Sequence, residues 1–341
     1  MKLDYRKTFL PRRTHTVPQT VSLRERKGSF FQVALWLLVF TLTACATPQQ
    51  AATLTPASTL THPAKTIDAS APSTLTPTLA ATAALSATST PTPLADPKAW
   101  MKLPVVPQTV SQRAKEIYAT GQKLGNQPNV FTLVGDCDAT PTWFLGDFDL
   151  GPKHYNLGSY TNLQDEIDYF QGSFGHQSLA VRRGFVAASV LAPLWADPKK
   201  CEKGETPLSC EIRITKPAFA FILLGTNDYN HRKAFEPNMR KILDQLIEKG
   251  VLPILGTKAD NMEKDYSLNA AIARLATEYE LPLWNFWAAT DPLPAHGLDP
   301  DLTHLTWASN DFSDPAKMQS AWPWRNLTAL QTLEVVWNAV K

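Results

Sequence analysis

Four short stretches carry residue types that suit acyl transfer: Gly135-Asp136-Cys137, Gly184, Gly225-Thr226-Asn227-Asp228, and Asp301-Leu302-Thr303-His304. Such chemistry needs a nucleophile, a base for its proton, a group that holds the base, and hydrogen-bond donors for the oxyanion. Cys137 is the nucleophile candidate and His304 the base. Asp301, three residues before the histidine, can fold back in a turn and accept from the imidazole, fixing its tautomer. The backbone N–H groups of Cys137 and Gly184 and the side-chain amide of Asn227 are the candidate oxyanion donors. Each has a plainer reading as well. A cysteine after a strand is commonly a small buried residue, Asn227 can cap a helix, and Gly184 can serve close backbone approach.

These residues need a scaffold that gathers them. Seven apolar residues, 218–224, run unbroken into Gly225, as in a strand buried on both faces of a parallel sheet. In such sheets ligands sit beyond the carboxyl ends of the strands. A first strand is expected over 129–134, ending at Gly135, with others over 251–256 and 281–286. Helices are expected after a capping pattern at Thr109 and Gln112, around 163–170, in an Ala-rich stretch through Leu191, and on the apolar stripes Phe235–Ile247 and Leu268–Tyr279. A last helix is expected from about 327 to 340. Alternating strands and helices predict an α/β fold with a parallel sheet between helical layers.

The four blocks, in this order, resemble those of the SGNH (GDSL-like) hydrolases from Val130 to His304. That resemblance implies a flavodoxin-like three-layer α/β/α sandwich and ester hydrolysis, often of acyl groups on carbohydrates or lipids. The family's nucleophile is serine, and this chain has Cys137 in its place. Asp136 and Asp138 flank the thiol, and nearby carboxylates disfavour a thiolate. Asp136 and Tyr229 are expected to border the substrate. Of the aromatics Trp143, Phe144, Tyr155, Tyr160, Tyr169 and Phe170, core packing is the first expectation and a sugar-binding cleft the second. The expected function is an esterase or deacetylase acting on a small acyl ester or acylated polysaccharide. The alternative is a binding protein in which the exchange of Ser for Cys has ended hydrolysis.

The termini and composition set the context. Arg24, Arg26 and Lys27 precede the apolar run 33–40, and Leu42-Thr43-Ala44-Cys45 follows, the order of a secretory signal. The last four residues resemble the bacterial lipobox, which implies acylation of Cys45 and a lipid anchor on the outer face of the cell. The segment before Arg24 is long for a signal, so translation is expected to start downstream of Met1. Residues 46–98 are dominated by Thr, Ala, Pro and Ser and are expected to form a disordered linker. The globular domain is expected over 99–341. Of 33 Lys and Arg residues 10 lie in 1–98, as do 4 of 31 Asp and Glu residues, leaving 23 basic against 27 acidic in the domain. That balance gives no basic stripe for nucleic acid. Cys201 and Cys210 bracket a Gly- and Pro-containing loop and are read, in an exported protein, as a disulfide. No metal cluster, phosphate loop or cofactor motif is evident, and a monomer is expected.

Overall fold

The structure, a computed structural model, describes residues 96–341. The signal segment, Cys45 and nearly all of the linker lie outside the described residues. Among those described, no helix is long and apolar enough to cross a membrane.

Strand β3 (Pro217–Leu223) is buried along its whole length. It alternates small and aromatic residues, and a strand sends alternate side chains to opposite faces. Phe219 and Phe221 point to one side, where Phe219 stacks on Tyr118 at 5.4 Å and Phe221 meets Phe131, Phe144 and Trp284 edge-on. Ala218 and Ala220 leave room for helices to approach closely on the other side. The strand is flanked in parallel register by β1 (Gln127–Gly135) and β4 (Leu252–Gly256), and β4 by the two-residue β5 (Leu283–Trp284). The sheet order is β1-β3-β4-β5. A single parallel bridge from Gly135 to Val181 stands on the outer edge of β1. With it the arrangement follows the 2-1-3-4-5 order of flavodoxin-like sheets, the second strand reduced to one residue.

Helices α1 (Gln112–Leu124), α2 (Gln164–Tyr169) and α7 (Ala321–Val340) pack together, with Tyr118 of α1 and Phe170, just after α2, over the aromatic face. Helices α3 (Pro207–Thr215), α4 (Arg232–Glu248) and α5 (Ser267–Glu278) form a second packed group. Thr132 of β1, in register with Ala220, points to that group and donates to Glu211 of α3 at 2.6 Å. The fold is thus an α/β/α sandwich with a parallel central sheet. A short α6 (Phe286–Thr290) follows β5, and β2 (Tyr155–Asn156) pairs in parallel with β6 (Asn310–Asp311) away from the main sheet.

Several expectations about individual elements are corrected. Ser111 caps α1, not Thr109: its hydroxyl accepts from Ala114 N at 2.9 Å and donates to Glu280 O at 2.6 Å. The Ala-rich stretch through Leu191 forms only a 3-10 turn, Ser189–Leu191. β5 is two residues long because Asn285 turns away and its amide donates to Trp100 O and Leu103 O, both at 2.9 Å. Cys201 and Cys210 form a disulfide with Cα atoms 5.3 Å apart, but Cys210 belongs to α3 and not to a loop. Thr206 and Ser209 make a reciprocal capping box there, with Pro207 in the first turn. Helix α7 begins at Ala321, six residues before the expected start, with Pro323 tolerated in its first turn.

Glu211 is fully buried and accepts from Thr132 Oγ1, from Leu179 N and from His176 Nε2, the last two at 2.8 Å. Burial pushes its carboxyl up, but the hydrogen bonds outweigh burial and hold it below its ordinary 4.5. The hydrogen bond to Glu211 raises His176 above its ordinary 6.5. The glutamate's contribution is lost as pH falls through its lowered value, and the histidine's as pH rises through its raised value. The pair therefore supports the fold most fully between 4.5 and 6.5. Glu211→Gln should cost about 2 kcal/mol in that window, read by urea denaturation, and less on either side, His176 being partly solvated.

Candidate active site

The turn after β1 is built on a buried carboxylate. Asp136 is 3% exposed, and its side chain accepts from Asp138 N at 3.1 Å, which winds Cys137–Ala139 into a 3-10 turn. Thr140 Oγ1 closes the turn by donating to Cys137 O at 2.9 Å. The turn after β3 leans on the same group: Asn227 Nδ2 donates to Asp136 Oδ2 at 3.0 Å and to Phe185 O at 3.3 Å. Gly225 permits that turn with φ of 132°, a conformation closed to other residues. Asp228 is also buried and accepts from Ala187 N at 3.0 Å. These contacts draw the segment after Gly184, the β1 turn and the β3 turn together at the carboxyl edge of the sheet.

The histidine arrives from a separate loop. Leu298 and Leu305 form an antiparallel bridge, and Asp299 N donates to His304 O at 2.8 Å, closing a tight turn around residues 299–304. Asp301 Oδ1 accepts from His304 N at 2.9 Å and Oδ2 lies 2.6 Å from Nδ1. That leaves Nε2 as the ring nitrogen free to exchange a proton. Hydrogen bonds from His304 first, then from the turn's backbone, hold Asp301 down to about 2. The same carboxylate raises His304.

Cys137 and His304 line one cleft of about 460 Å³, together with Asp138, Trp143, Arg183 and Trp322. Trp143 is 48% exposed and stacks on Trp322, ring centroids 6.0 Å apart and planes 23° apart, giving the cleft a flat apolar wall. No hydrogen bond joins Cys137 to His304 among the described residues. The thiol's partner is Asp138, with Sγ donating weakly to Oδ1 at 3.9 Å. Burial first, then the charges of Asp136 and Asp138, push the Cys137 thiol up to about 11. Burial and the neighbouring Asp138 bring Asp136 up to about 7.

The other expected residues divide. Among the described residues the backbone N–H groups of Cys137 and Gly184 donate to no other residue. Gly184 has φ of 80°, the left-handed conformation that favours glycine. Asn227 is not at the cleft wall, because both of its Nδ2 contacts run inward. Asp136 is likewise sealed below the surface by its own hydrogen bonds. Tyr229 is exposed but does not line the cleft. Of the aromatics between the first two blocks, only Trp143 reaches it; Phe144 and Phe170 are fully buried, and Tyr155, Tyr160 and Tyr169 pack on the core.

Asp136, Cys137 and Asp138 also bring oxygen and sulfur atoms within 4.8 Å of one another. Asp136 is engaged by two donors, and the positive charge of Arg325 acts on both carboxylates, so the trio is a poor cation site. Trp322 and Arg325 were not legible as site residues, since the helix carrying them was expected to start after them. An arginine in an otherwise apolar helical stripe is the signal that points to it.

No protein-family model matches the chain, and no curated protein matches it. Among solved structures, a GDSL-like lipase from Bacteroides thetaiotaomicron is similar at 16% identity with a TM-score of 0.38, over 66% of this chain and 98% of that one.

Asp301→Asn removes the group that raises His304. The imidazole's titration midpoint, followed by NMR of the ring nitrogens, should fall toward its ordinary 6.5. A midpoint that stays put would show that the short contact does not govern the ring.

Proposed function

We propose that the chain is an ester hydrolase of the SGNH type that works through Cys137, His304 and Asp301, most naturally on an acylated carbohydrate. The observation that carries this reading is the meeting of Cys137 and an aspartate-held His304 on one cleft, from turns far apart in sequence. The wall made by Trp143 and Trp322 supports a sugar as the alcohol part, since aromatic faces stack on the apolar faces of sugar rings. In this reading the domain is exported and held at the outer face of the cell by acylation of Cys45, on the strength of the Arg24–Cys45 pattern.

The chemistry follows from the groups present. His304 Nε2 takes the thiol proton while Sγ forms a bond to the acyl carbon and the carbonyl electron pair moves onto oxygen. The N–H groups of Cys137 and Gly184 receive that oxyanion. Asn227 reaches it only by giving up one of its inward contacts. Collapse breaks the bond to the alcohol oxygen, which takes the proton from His304 and leaves a thioester on Cys137. Water then attacks the thioester, yields a proton to His304, and releases the acid and the thiolate, which is reprotonated.

A second reading, a cleft that binds without hydrolysing, draws on two observations: the thiol lies up at about 11, and the Asn227 amide is already engaged. One assay separates the two. The chain should turn over an aryl acetate, and alkylation of Cys137 should abolish it. His304→Ala should lower the rate about 10²- to 10⁴-fold. No turnover across several acyl esters, with activity appearing in Cys137→Ser, would favour binding and a lost nucleophile.

A further inference from the structure

Arg325 of α7 is 5% exposed and lies among aromatic rings: those of Phe144 and Phe286 at 5.0 Å, Trp284 at 5.5 Å and Trp322 at 5.6 Å. Its Nε has no hydrogen-bond partner, and among the described residues the guanidinium makes no ion pair. Rings favour a cation over their faces, but they satisfy none of its N–H groups. The side chain borders a narrow pocket of about 20 Å³, room for about one water molecule. Asp136, Asp138 and Asp260 line the same cavity. Burial works against the charge on Arg325, while Asp138 foremost, then Asp136, Cys137 and Asp260, support it.

Asp138 is shared between this cavity and the open cleft, and it is the acceptor nearest the thiol. The other charges around Cys137 are already committed or solvated. Lys258, across the cavity, is held by Asp260 at 2.8 Å and Glu263 at 2.6 Å. Arg183 on the cleft wall is exposed, Asp299 lines the same cleft, and His304 is paired with Asp301. Arg325 is therefore the buried cation left to answer the carboxylates that flank the thiol.

We propose that Arg325 is a positioning residue for Cys137: acting across the small pocket that it lines with Asp138 and Asp136, its cation offsets those carboxylates and so permits the thiolate to form. This rests on Cys137 being the reacting group of the proposed hydrolase, but not on any ester being turned over.

The test is the rate at which iodoacetamide alkylates Cys137 in the full chain, followed by peptide mass spectrometry over a pH series, with added glutathione as an internal measure of the reagent. Arg325→Met should slow Cys137 about tenfold at neutral pH, the change that one pH unit in the ionisation midpoint produces. Asp138→Asn should speed it by a similar factor, and Arg325→Lys should restore most of the rate lost in Arg325→Met. The double variant should return close to wild type, because both charges leave together. A purely structural role would not give opposite signs that cancel. An unchanged or faster rate in a folded Arg325→Met protein, judged by its near-UV circular dichroism, overturns the proposal. Should Arg325→Met not fold, the same comparison is made with Arg325→Gln, and an unchanged or faster rate overturns it. Alkylation reports the thiol whatever the fate of esters, so failure here is distinct from failure in the aryl acetate assay.

Discussion

The carboxylate of Asp136 is the tie on which the site depends. It is out of reach of solvent, and it accepts at once from its own turn and from the amide of Asn227. The first contact gives the residues after β1 their shape; the second joins that turn to the one after β3. Asn227 then passes the connection to Phe185, and Asp228 to Ala187. Three pieces of chain that meet at the sheet's carboxyl edge are thus set by two buried acids and one amide. A buried carboxyl is costly unless its hydrogen bonds are met, which explains why so much of the local polarity faces inward and not toward the cleft.

The two halves of the candidate site differ in solvation as a result. His304 and Asp301 are half exposed, and their short contact operates close to water. Cys137 sits lower, against carboxylates that resist its ionisation. Proton transfer in the proposed chemistry therefore runs from a sheltered donor to a wet acceptor. The balance of charge beneath the thiol matters more in this chain than it would for a serine, whose attack passes through no stable anion at neutral pH.

Much of this architecture was legible in the sequence. The unbroken apolar run of β3 showed a doubly covered strand, and the periodic stripes located α4 and α5 closely. What misled was local. A short helix that opens with Thr206-Pro207 inside a cysteine pair looked like loop, because Gly204 and Pro207 read as turn residues. β5 was expected to be longer, since nothing in its sequence shows that Asn285 will cap the chain's entry at Trp100 and Leu103. The site was legible as residue types and order, but not as orientation. Asn227 was expected to face the crevice and turns toward Asp136 instead. Arg325 was hidden because α7 was expected to start only after it, at about 327, and the helix begins at Ala321.

The lone bridge at Val181 has a consequence for how the protein behaves in company. β1 has a strand neighbour on its inner side, but on its outer side Gly135 pairs with the segment that runs on into Gly184 and Phe131 N meets the Ser173 hydroxyl at 3.3 Å. A bared strand edge is a template for other chains, and the buried part of β1 carries Thr132 as its one polar side chain. The stretch around Gly184 therefore acts as a guard rail as well as a wall of the site. Substitutions that loosen it should show first as clumping at high concentration, before any change in what the cleft can do.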